Sequence, residues 1–131
     1  MTTREAMYDG AMLRPGKPGD SIQSPNPFVV AADAVDTITV DKIASRFLQY
    51  TGFTAGRNLT TDTAVNILAA FPDLNIGESI VMIVSCVAAF AGTYVAGAGV
   101  TLAGRATTPA SSFSYITITK TAAATVTWRV A

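Results

Sequence analysis

The side chains that most often carry chemistry are sparse in this chain. Histidine is absent from all 131 residues, which removes His-based triads, imidazole metal sites and the commonest acid-base group near neutral pH. Cys86 is the one thiol. It lies between Ser85 and Val87 in the most apolar stretch, where a thiol packs as a small hydrophobe and is not poised to react as a thiolate. The carboxylate pairs Asp33/Asp36 and Asp36/Asp41 have the right types to hold a cation or share a proton, but they match no ligand-loop spacing and read as a solvated face. "GAGVTLAG", residues 97–104, supplies the first two glycines of a phosphate-cradling GxGxxG and then Leu102 where the third belongs; it reads as a turn. Arg105, Lys120 and Arg129 with Phe113, Tyr115 and Trp128 are the types that stack bases or sugars and hold a backbone, yet three scattered cations do not make a groove. Trp128 therefore reads as core with cations at its rim. No catalytic residues, no cofactor site and no metal site are expected.

The elements that would position these residues come next. Residues 1–32 read as an extended arm, because four of the six prolines (Pro15, Pro18, Pro25, Pro27) fall there beside Gly16 and Gly19 and proline removes an amide donor. Its candidate contact residues are Met12, Leu13, Arg14, Pro15, Pro25, Pro27, Phe28, Val29 and Val30. From 33 to 131 the pattern is that of a folded domain. "DTITV" alternates and predicts a strand at 36–40, followed by a helical turn near 41–45 and then a second strand. "TTDTAVNILAAFPD" predicts a helix over about 61–70, capped by Thr60 or Thr61 and stopped by Pro72. Ile80–Val84 reads as a strand buried on both faces, followed by short strands near Tyr94 and Val100. Phe113–Lys120 and Ala124–Val130 close the chain as a hairpin, joined by residues 120–123. Six or seven short strands with one short helix imply an all-β sandwich or jelly-roll-like domain.

The run from Ser79 to Gly104 holds no charged residue and is long enough to span a bilayer. Its β-branched residues and its glycines at 92, 97, 99 and 104 are strand-and-turn chemistry instead, and no Lys/Arg cluster or Trp flanks it. A membrane span at 79–104 is the weaker alternative. Nine basic and nine acidic residues cancel, so no field that seeks nucleic acid or anionic lipid is expected. Charges within the first dozen residues argue against a secretory signal, which leaves the Asn58-Leu59-Thr60 sequon idle. Eleven of the eighteen charges lie in the first 50 residues. The remainder is nearly neutral, as suits burial against copies of itself or a partner.

One stretch, "LTTDTAVNILAAFPDLNIGESIVMIVSCVAAFAGTYVAGAGVTLAG", is similar to a module of tailed-bacteriophage virion proteins: a Thr/Ala-rich helix ending in Leu-Ala-Ala-Φ-Pro, a Val-Gly-[Asp/Glu]-Ser strand start, then Ala-Gly-x-Gly-Val-Thr-Leu-x-Gly and a Thr/Val hairpin. The match runs from Leu59 through Gly104 and loosely to Val130, with Ile76 in place of the usual valine and Cys86–Phe90 in place of a more polar strand exit. The chain thus resembles the capsid decoration (cement) and head-fibre β-module family. The resemblance implies a non-enzymatic structural protein on the outer surface of a virion capsid, clamping major capsid subunits. It also implies self-association, with a homotrimer favoured over a homodimer, and the arm residues as capsid contacts. Phe90 and Tyr94 are the expected self-association residues. A fibre head that binds a host glycan or protein through Tyr94 and Tyr115 is the alternative; neither nucleic acid nor membrane is an expected partner.

Overall fold

Ten strands and two short helices make up residues 27–131, the part of the chain that the computed structural model describes. In chain order they are β1 (Phe28–Val30), β2 (Asp36–Ile38), α1 (Val40–Ser45), β3 (Phe47–Tyr50), β4 (Arg57–Thr61) and α2 (Ala64–Ala70). After these come β5 (Ser79–Cys86), β6 (Gly92–Val95), β7 (Val100–Gly104), β8 (Thr107–Thr108), β9 (Ser112–Ala122) and β10 (Thr125–Val130). They form two mixed sheets, one ordered β1-β3-β5-β9-β10-β7 and the other β2-β4-β6-β8. Up to β9, successive strands alternate between the sheets. Next-but-one strands therefore become neighbours, and β1/β3, β3/β5, β2/β4 and β4/β6 are all parallel. A parallel pair needs a crossover connection; here each crossover is a strand of the other sheet, supplemented by α1 or α2 in the first two turns of the winding.

Period-two alternation divides the large sheet into two faces. In β5 the side chains of Ile80, Met82, Val84 and Cys86 are buried, while Val81 and Ile83 point the other way. In β10 Val126, Trp128 and Val130 are buried, and Thr125, Thr127 and Arg129 are outward. The inner face meets Leu59 of β4 and Tyr94 of β6 in one hydrophobic cluster, to which α1 gives Ile43 and α2 gives Ala64 and Ile67. The rings of Tyr94 and Trp128 lie 6.3 Å apart and tie the sheets together.

Several local expectations change in this context. Arg57–Thr61 is a strand because its backbone pairs with both β2 and β6, so the helix begins at Ala64. Its cap is Thr63, whose hydroxyl accepts from the Asn66 amide at 3.2 Å; neither Thr60 nor Thr61 caps it. The turn at 41–45 is a full helix, α1, which makes two short helices where one was expected. Starting at Val40, α1 also cuts the 36–40 strand back to Ile38. It ends on Arg46 in the left-handed region (φ 65), whose carbonyl accepts the Ile83 amide. β5 is buried on one face only, since Val81 is half exposed. Phe28–Val30, assigned to the arm from sequence, forms β1 through its pairing with β3, with Pro27 just ahead of the strand, where a missing donor does no harm. Five of the eight strand pairs described are parallel, unlike the antiparallel strands of a jelly roll.

Two glycines separate backbone strain from close approach. Gly77 (φ +92) has nothing within 4 Å of an added Cβ, whereas at Gly104 (φ +79) that Cβ would lie 2.1 Å from the Val130 carbonyl oxygen. Gly77→Ala is expected to cost about 1–2 kcal/mol for the left-handed backbone alone. Gly104→Ala should cost distinctly more, because the β7/β10 pairing must open. Urea melts of the two variants check the order.

Candidate interaction surface

Three aspartates in the first half of the described chain bracket the elements around them. One Asp36 carboxylate oxygen accepts from Lys42 Nζ and from the Tyr50 hydroxyl, each at 2.7 Å, and Lys42 also donates to the Thr37 carbonyl at 3.0 Å. This joins β2, α1 and β3. Asp62 plays a similar part between β4 and α2, accepting from the amides of Val40 (3.2 Å) and Thr63 (2.8 Å) and from the Asn66 side chain (2.8 Å). Asp33 holds the β3–β4 loop, accepting from the amide and hydroxyl of Thr54 and from Arg57, whose guanidinium is 2.8 Å away. Of the carboxylates noted in the sequence, Asp33 and Asp36 are thus held in separate ion pairs, with Arg57 and Lys42 respectively. Among the described residues no three His, Cys, Asp or Glu side chains gather as metal ligands.

The Thr54 hydrogen bonds, chiefly that of its hydroxyl, hold the Asp33 carboxyl down at about 2. Burial is the first cause that raises the hydroxyls of Tyr50 and Tyr94 above the ordinary phenol range, with the Asp36 carboxylate adding to it at Tyr50. Their neutral forms support the fold below the unfolded phenol value of about 10, and that support fades as pH climbs past it. Burial also pushes the Cys86 thiol up, which matches a core side chain.

The remaining sequence candidates are scattered. Tyr94, expected at a self-association surface, is buried against Trp128 with its hydroxyl bonded to that of Thr108, so it does not stand on the surface of this fold. Phe90 is exposed in the loop after β5. Pro27 and Val29 are exposed; Phe28 is turned toward Lys42, whose ammonium lies 5.9 Å from its ring; Val30 is half buried in β1. Met12, Leu13, Arg14, Pro15 and Pro25 lie outside the described residues. The aromatic-basic set is divided by the sheet. Trp128 is on the inner face, Phe113, Tyr115 and Arg129 are outward, and Lys120 donates to the Leu74 carbonyl at 3.2 Å. The uncharged run at 79–104 is spread over β5, β6 and β7, and no helix among the described residues is long and apolar enough to cross a membrane. An open pocket of about 340 Å³ beside Arg46, Phe71, Leu74 and Ile80 has Glu78 on its wall, but that carboxylate is occupied by the Asn75 amide.

What the fold does bring together is the outer face of the large sheet. Phe47 pairs with Ile83, and Ile83 with Tyr115, so the three form a row across β3, β5 and β9. Flanking rows carry Val29, Gln49, Ser85 and Phe113 on one side, and Val81, Thr117 and Arg129 on the other. Val29, Val81, Phe113 and Tyr115 are each about half exposed, and the last two meet edge-on at 5.6 Å. A Phe or Tyr side chain has 150–250 Å² to bury, so this patch offers on the order of 300–400 Å². Patches of that size on a monomer are commonly functional. The reading of Ile80–Val84 as doubly buried hid half of this patch; the outward register of Phe113 and Tyr115 in an alternating strand was the available signal. No family model, no curated protein and no solved structure matches the chain.

The polar brackets can be tested by substitution. Asp36→Ala leaves the buried Tyr50 hydroxyl without an acceptor and Lys42 without its partner, and is expected to cost about 3 kcal/mol; Tyr50→Phe, which removes only a donor, should cost about 1. Asp33 works in a pH window. Its folded value lies below the unfolded carboxyl value near 4, so its contribution is complete above about pH 4 and is lost as pH falls toward 2. Asp33→Asn should flatten the acid side of the stability-pH curve in that window, as followed by thermal melts from pH 5 to 2.

Proposed function

We propose that this chain is a structural virion protein: a capsid decoration protein that binds the outer surface of a phage head and stabilises contacts between major capsid subunits. In this reading the two layers form a sandwich-like module without an enzymatic role, and copies associate, as a trimer before a dimer. The uncovered apolar face around Phe47, Ile83, Phe113 and Tyr115 carries the proposal. A side-chain set of that kind, rimmed by Gln49, Ser85, Thr117 and Arg129, is what a protein contact uses: aromatic anchors surrounded by polar groups. The resemblance of the Leu59–Gly104 stretch to virion modules supplies the partner. The fibre-head alternative named Tyr94 and Tyr115 as an example of its aromatic cluster; of these Tyr115 is exposed and Tyr94 is interior.

Cryo-electron microscopy of particles assembled with and without this chain tests the proposal directly; added density on the outer capsid is expected, and its absence would sink the reading. Tyr115→Ala, outward from the core, should leave the melting temperature nearly unchanged while weakening attachment to undecorated capsids by about 2 kcal/mol or more, the scale of an interface anchor.

A further inference from the structure

Each sheet ends in two edge strands, β1 and β7 in the large one and β2 and β8 in the small one, and an open edge invites another strand unless something blunts it. Three of these edges are blunted. β1 is three residues long and follows Pro27. β2 is equally short and carries Asp36, and the Lys42 ammonium bonded to that carboxylate also takes the Thr37 carbonyl. β8 is two residues long and runs into Pro109. β7 has no such protection: it spans five residues, Val100–Gly104, in unbroken register beside β10 and contains no proline and no charged side chain. We infer that this edge takes the β7 strand of a second copy, antiparallel and centred on Leu102, so that two large sheets join into one.

The backbone pattern selects that occupant. The Val126 amide donates to the Gly99 carbonyl at 3.2 Å and the Arg105 amide to the Val130 carbonyl at 2.8 Å, which fixes the side of β7 that faces β10. Backbone groups alternate sides along a strand, so the amides of Leu102 and Gly104 and the carbonyls of Val100 and Leu102 point away from β10, where no described strand meets them. The Val100 amide, on that same side, is already bonded to the Gly97 carbonyl at 3.1 Å. This set is complementary to itself. With Leu102 opposite Leu102 of the second copy, that pair exchanges both its bonds and each Gly104 amide meets a Val100 carbonyl; only the Gly104 carbonyl, on an exposed residue, is left to water. Charge does not oppose the pairing, because identical strands repel through like charges set face to face and the run from Ser79 to Gly104 has none. A two-fold axis normal to the sheet keeps both outer faces on one side and leaves the row from Phe47 to Tyr115 uncovered. Such a contact closes with two copies. Of the two stoichiometries that the resemblance implies, the edge thus accounts for the dimer, and a trimer needs another surface. The inference does not depend on the capsid reading; if both hold, two outer faces meet the capsid together and each copy helps to hold the other there.

A single strand edge is a small interface, so free copies associate weakly, with a dissociation constant on the order of 0.1 mM. Sedimentation equilibrium of the full chain should show the mass rising from 13.6 kDa toward twice that value with concentration. A single-chain mass at every concentration up to about 1 mM would overturn the inference. Thr101→Lys/Ala103→Lys, checked for folding by circular dichroism, sets like charges directly opposite one another and is expected to weaken the dimer about fivefold or more. Association unchanged in that variant, at twice or three times the single-chain mass, would also overturn it. Cross-linking reads the register independently. Thr101 and Ala103 lie on the outer face beside Thr127 and Arg129, and neither is buried. In the paired edge, Thr101 of one copy faces Ala103 of the other at about 4.5 Å between Cα atoms, within the span of a disulfide. Thr101→Cys and Ala103→Cys are made as separate proteins, with Cys86 buried away from the exchange. Mixed in equal amounts in a glutathione redox buffer, they are expected to give several-fold more covalent dimer than either protein alone. No excess in the mixture would overturn the edge pairing even if the double-lysine variant failed to fold, whereas capsids that never bind the chain would end the capsid reading and leave this result untouched.

Discussion

The register of β9 is the constraint on which the two faces of the large sheet depend. This strand is bonded to β5 from Ser112 to Thr119 and to β10 from Ile116 to Ala122, so it aligns the other two. Hydrophobicity alone does not choose which way it faces. Its inward residues are Ser114, Ile116 and Ile118, and its outward ones Phe113, Tyr115, Thr117 and Thr119. A one-residue slip would exchange the two sets. Burying the second set would place a phenol and two threonine hydroxyls in an apolar layer at about 1–3 kcal/mol for each one left unbonded, whereas the present register buries only the Ser114 hydroxyl without a partner among the described residues. Polar groups on the losing face thus decide the register, and they leave Phe113 and Tyr115 outside as a consequence.

Winding the chain between two sheets creates a second requirement. Each time it crosses from one layer to the other, backbone groups leave the ladder and need partners. The charged residues of the first half supply them. Asp36 joins the end of one layer to Lys42 and Tyr50, Asp62 receives the Val40 amide from the preceding crossover, and Thr61 accepts the Gly97 amide at 2.8 Å where β6 ends. Asp33, Asp36 and Lys42, three of the charged residues between 27 and 50, therefore have an internal use. Later crossings manage with backbone bonds, as where the Arg105 amide donates to the Val130 carbonyl at 2.8 Å, and the second half can be nearly uncharged without leaving its turns unsatisfied.

That division also explains what was legible before the structure. β9 and β10 alternate locally and are long, so their residues announce strands, and β10 also announces its face, which is why Trp128 reads as core; Cys86 reads as core from the apolar stretch around it. Arg57–Thr61 has one fully buried apolar side chain, Leu59. Its strand character comes from neighbours far away in sequence, which propensity does not register. Parallel pairing is equally non-local, because nothing in Phe28–Val30 states that it will lie beside residues 48–50. Tyr94 was misplaced since a Tyr beside glycines reads as exposed until Thr108, from another strand, provides its hydrogen bond. On β5 the continuous apolar run masked the period of two, and with it the outward direction of Val81 and Ile83.

The uncovered face is not uniform, and its unevenness is the strongest reason to treat it as a docking surface and not as leftover composition. Toward the β9–β10 hairpin the outward positions are Thr117, Thr119, Thr125 and Thr127, with Ser79 and Thr119 sharing a hydrogen bond at 2.7 Å. These are ordinary residues for a solvated sheet. Toward the other end they become Phe47, Ile83, Phe113 and Tyr115, and this is the end where the N-terminal segment joins the sheet. A face selected only for solvent would have no reason to change character along its strands, since the inner layer is well buried at both ends: Ile118 and Val126 are as buried as Leu48 and Val84. Core packing therefore does not account for the outward aromatics. On the proposed reading, a contact made from outside does.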